Sequence, residues 1–306
     1  MIKISSQRAL IFSDARAGHE NQSKAFCELN GYDYEICHVS YSHKIFKILS
    51  YLLDFLGIRA KIFITNDMKF HDFDVFVGAG SSTYYAIKFY AKKYSKKSVA
   101  IMLPKGYRKN FDLIIANSHD HPIPRHNQLV LPVSISNCKP SGFYTAGRKS
   151  IGFVIGGSNQ SFEMNDEILN QIKKIRAEFN KYEFVLTTSP RTPKNIESAL
   201  QELDWAYSVI FSKEQVNPIG DFLSQCEWVF ISIDSVSMIS EAVANGTANI
   251  GIIDLKRKNS KNKFDQFINA LIATGHARKW GEAKNKKSLK KTAKYDLKEL
   301  IKGIKI

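Results

Sequence analysis

Between Ser13 and Lys24 the run Ser-Asp-Ala-Arg-Ala-Gly-His-Glu-Asn-Gln-Ser-Lys sets a histidine among short polar side chains, just where the apolar run Ala9-Leu10-Ile11-Phe12 gives way to a helical pattern. An imidazole titrates near neutral pH, so His19, or else Asp14 before it, is suited to orienting or deprotonating a hydroxyl. Gly18 lets the backbone bend or approach a ligand closely, and the first amides of the helix expected from Asn21 to Leu29 point into the same space, beside Glu20 and Asn21. The plainer reading is a turn glycine, a helix-start histidine and a glutamate that complements the positive helix end.

A second set of polar and small residues ends the apolar runs of the other half. Gly156-Gly157-Ser158-Asn159 follows one run, Thr187-Thr188-Ser189-Pro190-Arg191-Thr192 another, and Asp234-Ser235-Val236-Ser237-Met238 a third. A helix beginning after Ser235 aims free amides and the hydroxyls of Ser235 and Ser237 at one point, which makes an anion site. Arg191, next to Thr192, adds a forked donor for phosphate. Glu241 follows Ser237 by one helical turn; its carboxylate suits a ribose diol better than a bare phosphate. With Gly156, Gly157 and Ser158 these groups read as a cradle for the diphosphate and sugar of a nucleotide, while the plainer role for Glu241 is to complement the helix dipole.

The elements that must position these residues alternate. Strand-like runs at Ala9–Ser13, Tyr34–Val39, Val75–Val77, Ser98–Leu103 and Leu113–Ala116 are interleaved with helix-like stretches at 21–29, 44–56 and 83–94, which predicts a parallel sheet. Asn127 to Arg148, with Pro132, Pro140, Gly142 and Gly147, breaks the pattern and reads as an interdomain connection. Strands at 151–155, 183–187, 206–211, 228–232 and 248–252 then alternate with helices at 164–179, 193–203, 217–225 and 236–245. The expectation is two facing α/β domains, 1–140 and 141–280, with a ligand cleft between them and a basic tail or helix at 281–306.

Within the first domain, Val77-Gly78-Ala79-Gly80-Ser81-Ser82 is another strand-to-helix glycine loop, where Gly80 and Ser81 leave room for an acceptor sugar or phosphate; tight helix packing explains it equally well. Residues 41–61 combine dense apolar content with Lys44, Lys47, Arg59 and Lys61, a pattern that suits either an interfacial helix on an acidic leaflet or burial against the sheet. His119-Asp120-His121 with His126 has no ligand-like geometry, and Asp72-Phe73-Asp74 reads as a turn.

Composition narrows the partners. The 306 residues carry a net charge of +15, which calls for an anionic partner. The lysine-rich end from Lys284 to Lys305 spaces Leu289, Leu297, Leu300, Ile301 and Ile304 as a helix would and lacks interleaved aromatic residues, which argues against nucleic acid. Cys27, Cys37, Cys138 and Cys226 are scattered, as in a reducing cytoplasm, and neither a signal sequence nor an apolar run of membrane-spanning length is visible.

Taken together, Asp14 to Gln22, the Gly156–Asn159 loop, Ser189-Pro190-Arg191-Thr192-Pro193, Asp234 to Ala242, and the residues from Lys263-Phe264 to Gly275-His276-Ala277-Arg278 resemble the mitochondrial fission ELM family of bacteria and plants. Its bacterial members look like GT-B glycosyltransferases of surface polysaccharide or lipopolysaccharide synthesis. The resemblance implies a metal-independent, cytoplasmic enzyme peripheral to the inner membrane, with a nucleotide-sugar donor, a glycan or glycolipid acceptor and no further cofactor. Similarity to the peptidoglycan N-acetylglucosaminyltransferase type is more distant; it implies acceptor contact at Gly18-His19 and donor-ribose contact at Ser240-Glu241, although the first loop lacks that type's run of glycines. The plant member's association with organelle division implies the alternative, a non-catalytic membrane adaptor on the same fold.

Overall fold

The computed structural model describes residues 7–259, 263–281 and 290–302. The expectations for Lys284 to Leu289 and for Ile304 and Lys305 lie outside the described residues. The chain divides into two compact units, one of residues up to Asn137 together with those from Asp296 on, the other Cys138–Tyr295.

In the first unit the elements run β1 (Arg8–Ser13), α1 (Ala17–Asn30), β2 (Asp33–Ser40), α2 (Lys44–Phe55), β3 (Ile64–Thr65), β4 (Val75–Ala79), α3 (Tyr84–Tyr94), β5 (Lys97–Ile101), β6 (Leu113–Asn117) and β7 (Gln128–Leu131). They build a sheet of order β3-β2-β1-β4-β5-β6-β7, parallel except for β3. Continuous apolar runs such as Ala9-Leu10-Ile11-Phe12 and Val75-Phe76-Val77 form the strands covered on both faces, and all of these residues are buried. Phe70 stacks on Tyr90 with ring centroids 3.9 Å apart, and Phe12 and Phe76 close the cluster around Tyr90.

Two sequence expectations need correction here. Helix α1 begins at Ala17 rather than Asn21, so Gly18, His19, Glu20 and Asn21 lie in its first turns; the amides of His19 and Glu20 both donate to Arg16 O, which closes the helix early. The opening of the supposed interdomain connection, Gln128–Leu131, is instead β7, paired in parallel with β6. An edge strand with only Leu131 buried shows little apolar alternation, which is why the pattern hid it.

The second unit repeats the scheme with β8 (Ser150–Ile155), β9 (Phe162–Glu163), α4 (Glu167–Glu178), β10 (Glu183–Thr188), α5 (Lys194–Gln201), β11 (Tyr207–Val209), α6 (Ile219–Gln225), β12 (Trp228–Ser232), α7 (Val236–Ala244), β13 (Asn249–Ile253), β14 (Lys256–Arg257), α8 (Lys263–Ala273) and β15 (Arg278–Lys279). The main sheet is parallel, in the order β11-β10-β8-β12-β13-β15, with β9 and β14 forming a small antiparallel pair. The basic end of the chain is not one tail. Residues up to Tyr295 stay with the second unit, where Thr292 pairs with Asn249 and the Tyr295 ring stacks on His276 at 3.6 Å. The final helix, α9 (Leu297–Ile301), packs on α1 in the first unit through buried Leu297 and Ile301.

Asp221 on α6 is fully buried and accepts from the amides of Ser141, Gly142 and Phe143 at 2.9 to 3.0 Å, fastening the proline- and glycine-rich segment that opens the second unit. Removing the buried carboxylate takes away the shared acceptor of three amides and frees the segment they fasten. D221A is therefore expected to lower unfolding free energy by about 2–4 kcal/mol, measured by urea denaturation.

Candidate functional site

In each sheet the chain order reverses at one place, and there the loops that follow two neighbouring strands part to leave a crevice at the carboxyl edge. In the first unit this point lies between β1 and β4, so the loops beginning at Asp14 and Gly80 flank it. In the second it lies between β8 and β12, so Gly156-Gly157 and Asp234-Ser235 flank it.

At the first point Asp14 and His19 come together. The Asp14 carboxylate, 7% exposed, takes both oxygens within 3.0 and 3.2 Å of His19 Nδ1. A carboxylate only accepts, so Nδ1 is the donor; in the neutral imidazole this leaves the lone pair on Nε2, the arrangement of an oriented general base. Gly80 makes this possible: its φ of +85° is left-handed, and a Cβ there would lie 2.5 Å from the His19 ring. Ala15, at φ 62°, is a strained non-glycine in the same loop.

The other acceptor-side candidates have different duties. Glu20 accepts from Ser13 Oγ at 2.9 Å and pairs with Lys24 at 2.7 Å; Lys24 above all holds its carboxyl below the usual range, with the Ser13 hydroxyl helping against burial. Gly18 is not crowded, since a Cβ there would meet open space, and Asn21 is exposed on α1. The Ser81 carbonyl accepts from Arg108 at 3.3 Å. Unforeseen was a cavity of about 250 Å³ beside Asp14, bounded also by Arg16, Tyr41, His43, Lys44, Lys47 and Ser82. Lys47 Nζ donates to Ser82 Oγ at 2.8 Å there.

At the second point a buried carboxylate organises the loops. Asp234 accepts from Gly157 N at 3.0 Å, Ser232 Oγ at 2.6 Å and Arg191 Nη2 at 2.8 Å. Burial pushes its carboxyl above the ordinary range, against the pull of those three donors. The expected phosphate cradle is revised accordingly. Gly156 N donates to Ser232 Oγ at 2.7 Å, Ser158 Oγ accepts from Met164 N at 3.0 Å, and buried Thr192 donates to Gly156 O at 2.5 Å. Donors spent on the protein are not available to a ligand, so Gly156, Gly157 and Thr192 build the loops rather than offer them, and Ser158 Oγ takes part as an acceptor. Both glycines are required by packing: a Cβ at Gly156 would lie 2.3 Å from the Asp234 carboxylate, and one at Gly157 1.9 Å from Arg191 O.

What remains open is the start of α7 and the half-exposed Arg191. Ser235 caps the helix, its Oγ accepting from Met238 N at 3.3 Å, and Ser237 is exposed one turn from Glu241. Glu241 keeps some exposure, yet its carboxyl sits among buried atoms. Burial raises its proton affinity, partly countered by the Cys138 thiol that donates to it, and the same contact and burial push the thiol up. The histidines near residue 120 do not converge, and among the described residues no group of three ligating side chains is placed to hold a metal.

Residues 17–299 match the family described as Mitochondrial fission ELM1. The chain belongs to that family. This ELM1-family chain is also 24% identical to an uncharacterised protein of Rickettsia prowazekii (strain Madrid E), over 89% of its own length and 90% of the relative's. Among solved structures it resembles a protein assigned as a UDP-N-acetylglucosamine 2-epimerase from Listeria monocytogenes, with a TM-score of 0.51 and 9% identity over 97% of this chain and 86% of that one. It likewise resembles the glycosyltransferase of kitacinnamycin, with a TM-score of 0.50 and 11% identity over 90% and 86%. At such identities the likeness establishes the fold, which is of the GT-B type.

Two outcomes follow for this ELM1-family chain. G80A strains the backbone and collides with the imidazole; a loss of about 1–3 kcal/mol is expected, together with a change in the His19 ring 15N signals as Nδ1 leaves Asp14. For Glu241 the folded chain holds its proton more tightly than the unfolded chain, so stability falls as pH rises from the ordinary value of 4.5 through the raised one. E241Q removes that loss: its melting temperature should exceed that of the parent at neutral pH and converge with it in acid.

Proposed function

We propose that this chain is a glycosyltransferase that moves a sugar from a nucleotide-sugar donor to a hydroxyl of a lipopolysaccharide or other surface-glycan acceptor. The observation that carries the reading is the Asp14–His19 pair, with Nδ1 held by the carboxylate and Nε2 left to take a proton. An imidazole oriented by a carboxylate at a switch point is the group that sugar transfer to an alcohol needs. The GT-B fold supports the reading because one fold neighbour is a glycosyltransferase and another is assigned to UDP-N-acetylglucosamine chemistry.

In the reaction, His19 Nε2 takes the acceptor hydroxyl proton while that oxygen bonds to the anomeric carbon of the donor sugar. The bond from the anomeric carbon to the phosphate oxygen breaks, and a nucleoside diphosphate leaves with the electron pair. The first-turn amides of α7, Ser237 and Arg191 are the groups suited to the diphosphate charge, and Glu241 to the ribose hydroxyls. Asp14 stabilises the imidazolium as it forms. In its resting state Arg191 is already paired with Asp234, so it contributes its remaining N–H groups.

Calorimetry with a panel of nucleoside diphosphates, and release of nucleotide from the matching nucleotide-sugars in the presence of extracted lipid acceptor, test the assignment. H19A should keep nucleotide affinity and slow transfer by roughly 10²–10⁴-fold. E241A should weaken nucleotide binding by about tenfold, a lost pair of hydrogen bonds. If no nucleotide binds, or E241A binds every nucleotide as tightly as the parent, the donor assignment is wrong.

A further inference from the structure

Helix α2 is turned inside out. Its only buried residues are Ser50 and Asp54, whereas Ile45, Ile48, Leu52 and Phe55 are 67, 69, 54 and 66% exposed. These four recur at helical spacing and so share one face. Leu56 and Ile58, in the turn that follows, extend the apolar surface, and Tyr107 packs its ring edge-on to Phe55 at 5.2 Å. An ordinary surface helix would roll this stripe into the core and give Asp54 to water.

A charge clamp prevents that roll. The Asp54 carboxylate, 1% exposed, takes Arg108 Nε at 2.9 Å, Lys88 Nζ at 3.1 Å and Arg59 Nη2 at 3.1 Å. Three cations on one buried carboxylate fix the helix about its own axis, because rotating Asp54 outward would strand the buried Lys88 and Arg108. The exposed stripe is therefore held in place by the fold.

The charge around the stripe selects its occupant. From Lys44 to Lys61 the only acidic residue is the clamped Asp54, while Lys44 and Lys61 are exposed, as is Lys105 close to Tyr107. The cavity of about 250 Å³ at the start of the helix is lined by Arg16, His43, Lys44 and Lys47, with the little-exposed Asp14 as the carboxylate among them. Exposed apolar side chains on a segment that carries exposed lysines and whose one carboxylate is buried match a lipid leaflet with anionic head groups. No described helix is long and apolar enough to cross a membrane, so the contact is one of lying on it.

We propose that α2 is a leaflet-docking helix: Ile45, Ile48, Leu52 and Phe55 enter the acyl boundary of an anionic membrane, the surrounding lysines meet its phosphates, and the Asp54 clamp sets the orientation. The proposal stands apart from the transfer reading, since vesicle binding needs no nucleotide. The full chain should sediment with phosphatidylglycerol–phosphatidylcholine vesicles, more weakly with phosphatidylcholine alone and more weakly as salt rises. The double variant I48D/F55D, altered at exposed positions, should bind the anionic vesicles roughly tenfold less while staying folded, its melting temperature lowered only by the lost Phe55–Tyr107 contact. In L52W the added indole emission should shift to the blue on adding vesicles. A parent chain that stays in the supernatant, a double variant that binds as the parent does, or an unshifted Leu52→Trp signal overturns the proposal. So does a vesicle-free dimer that I48D/F55D dissolves, which would make the occupant a second copy.

Discussion

Parallel pairing is the constraint on which the rest of this molecule depends. A parallel sheet brings the carboxyl ends of its strands to one edge, and at the single place where the strand order reverses, the two flanking loops cannot cover each other. In the first unit that place collects Asp14, His19 and Gly80; in the second it collects Gly156, Gly157, Asp234 and the start of α7. Residues far apart in sequence share a site because strands β1 and β4, or β8 and β12, are neighbours in a sheet.

Buried carboxylates then do the local fastening, each in a different way. Asp221 is met by backbone amides, Asp234 by one amide, a hydroxyl and a guanidinium, and Asp54 by three cations. A buried charge is tolerated only when its partners are in place, so each makes its surroundings nearly all-or-none. At Asp234 this joins three loops around the second switch point. At Asp54 it turns a helix so that its apolar side faces outward. Rigidity of the loops and presentation of a surface come from the same physical device.

Much of this was legible in the chain. Alternating buried strands and helices announced two α/β units, because strands covered on both faces are written as uninterrupted apolar runs. His19 and Asp14 were visible as alternative bases at a strand end, and the start of a helix after Ser235 was visible too, whereas the capping role of Ser235 was not. Less legible were the short edge strands β3 and β7, whose few residues are half-exposed and carry no strong period. The division of the C-terminal residues was also hidden, since the contact of α9 with α1 joins the two ends of the described chain.

The residue types and their order by themselves determined the parallel α/β architecture, the family and the loops in which chemistry can occur, because burial periodicity and strand-end polarity are local properties of the sequence. Only the tertiary structure decided what each polar group is free to do. Gly156, Gly157, Ser158 and Thr192 looked like ligands for phosphate and proved to be bonded to the protein; Gly80 looked like packing or acceptor space and proved to be the seat of the His19 ring. In the same way the pattern of α2 permitted either face to be buried. The choice fell to Lys88 and Arg108, which reach Asp54 from distant parts of the chain to join the nearby Arg59, a meeting that no local period encodes.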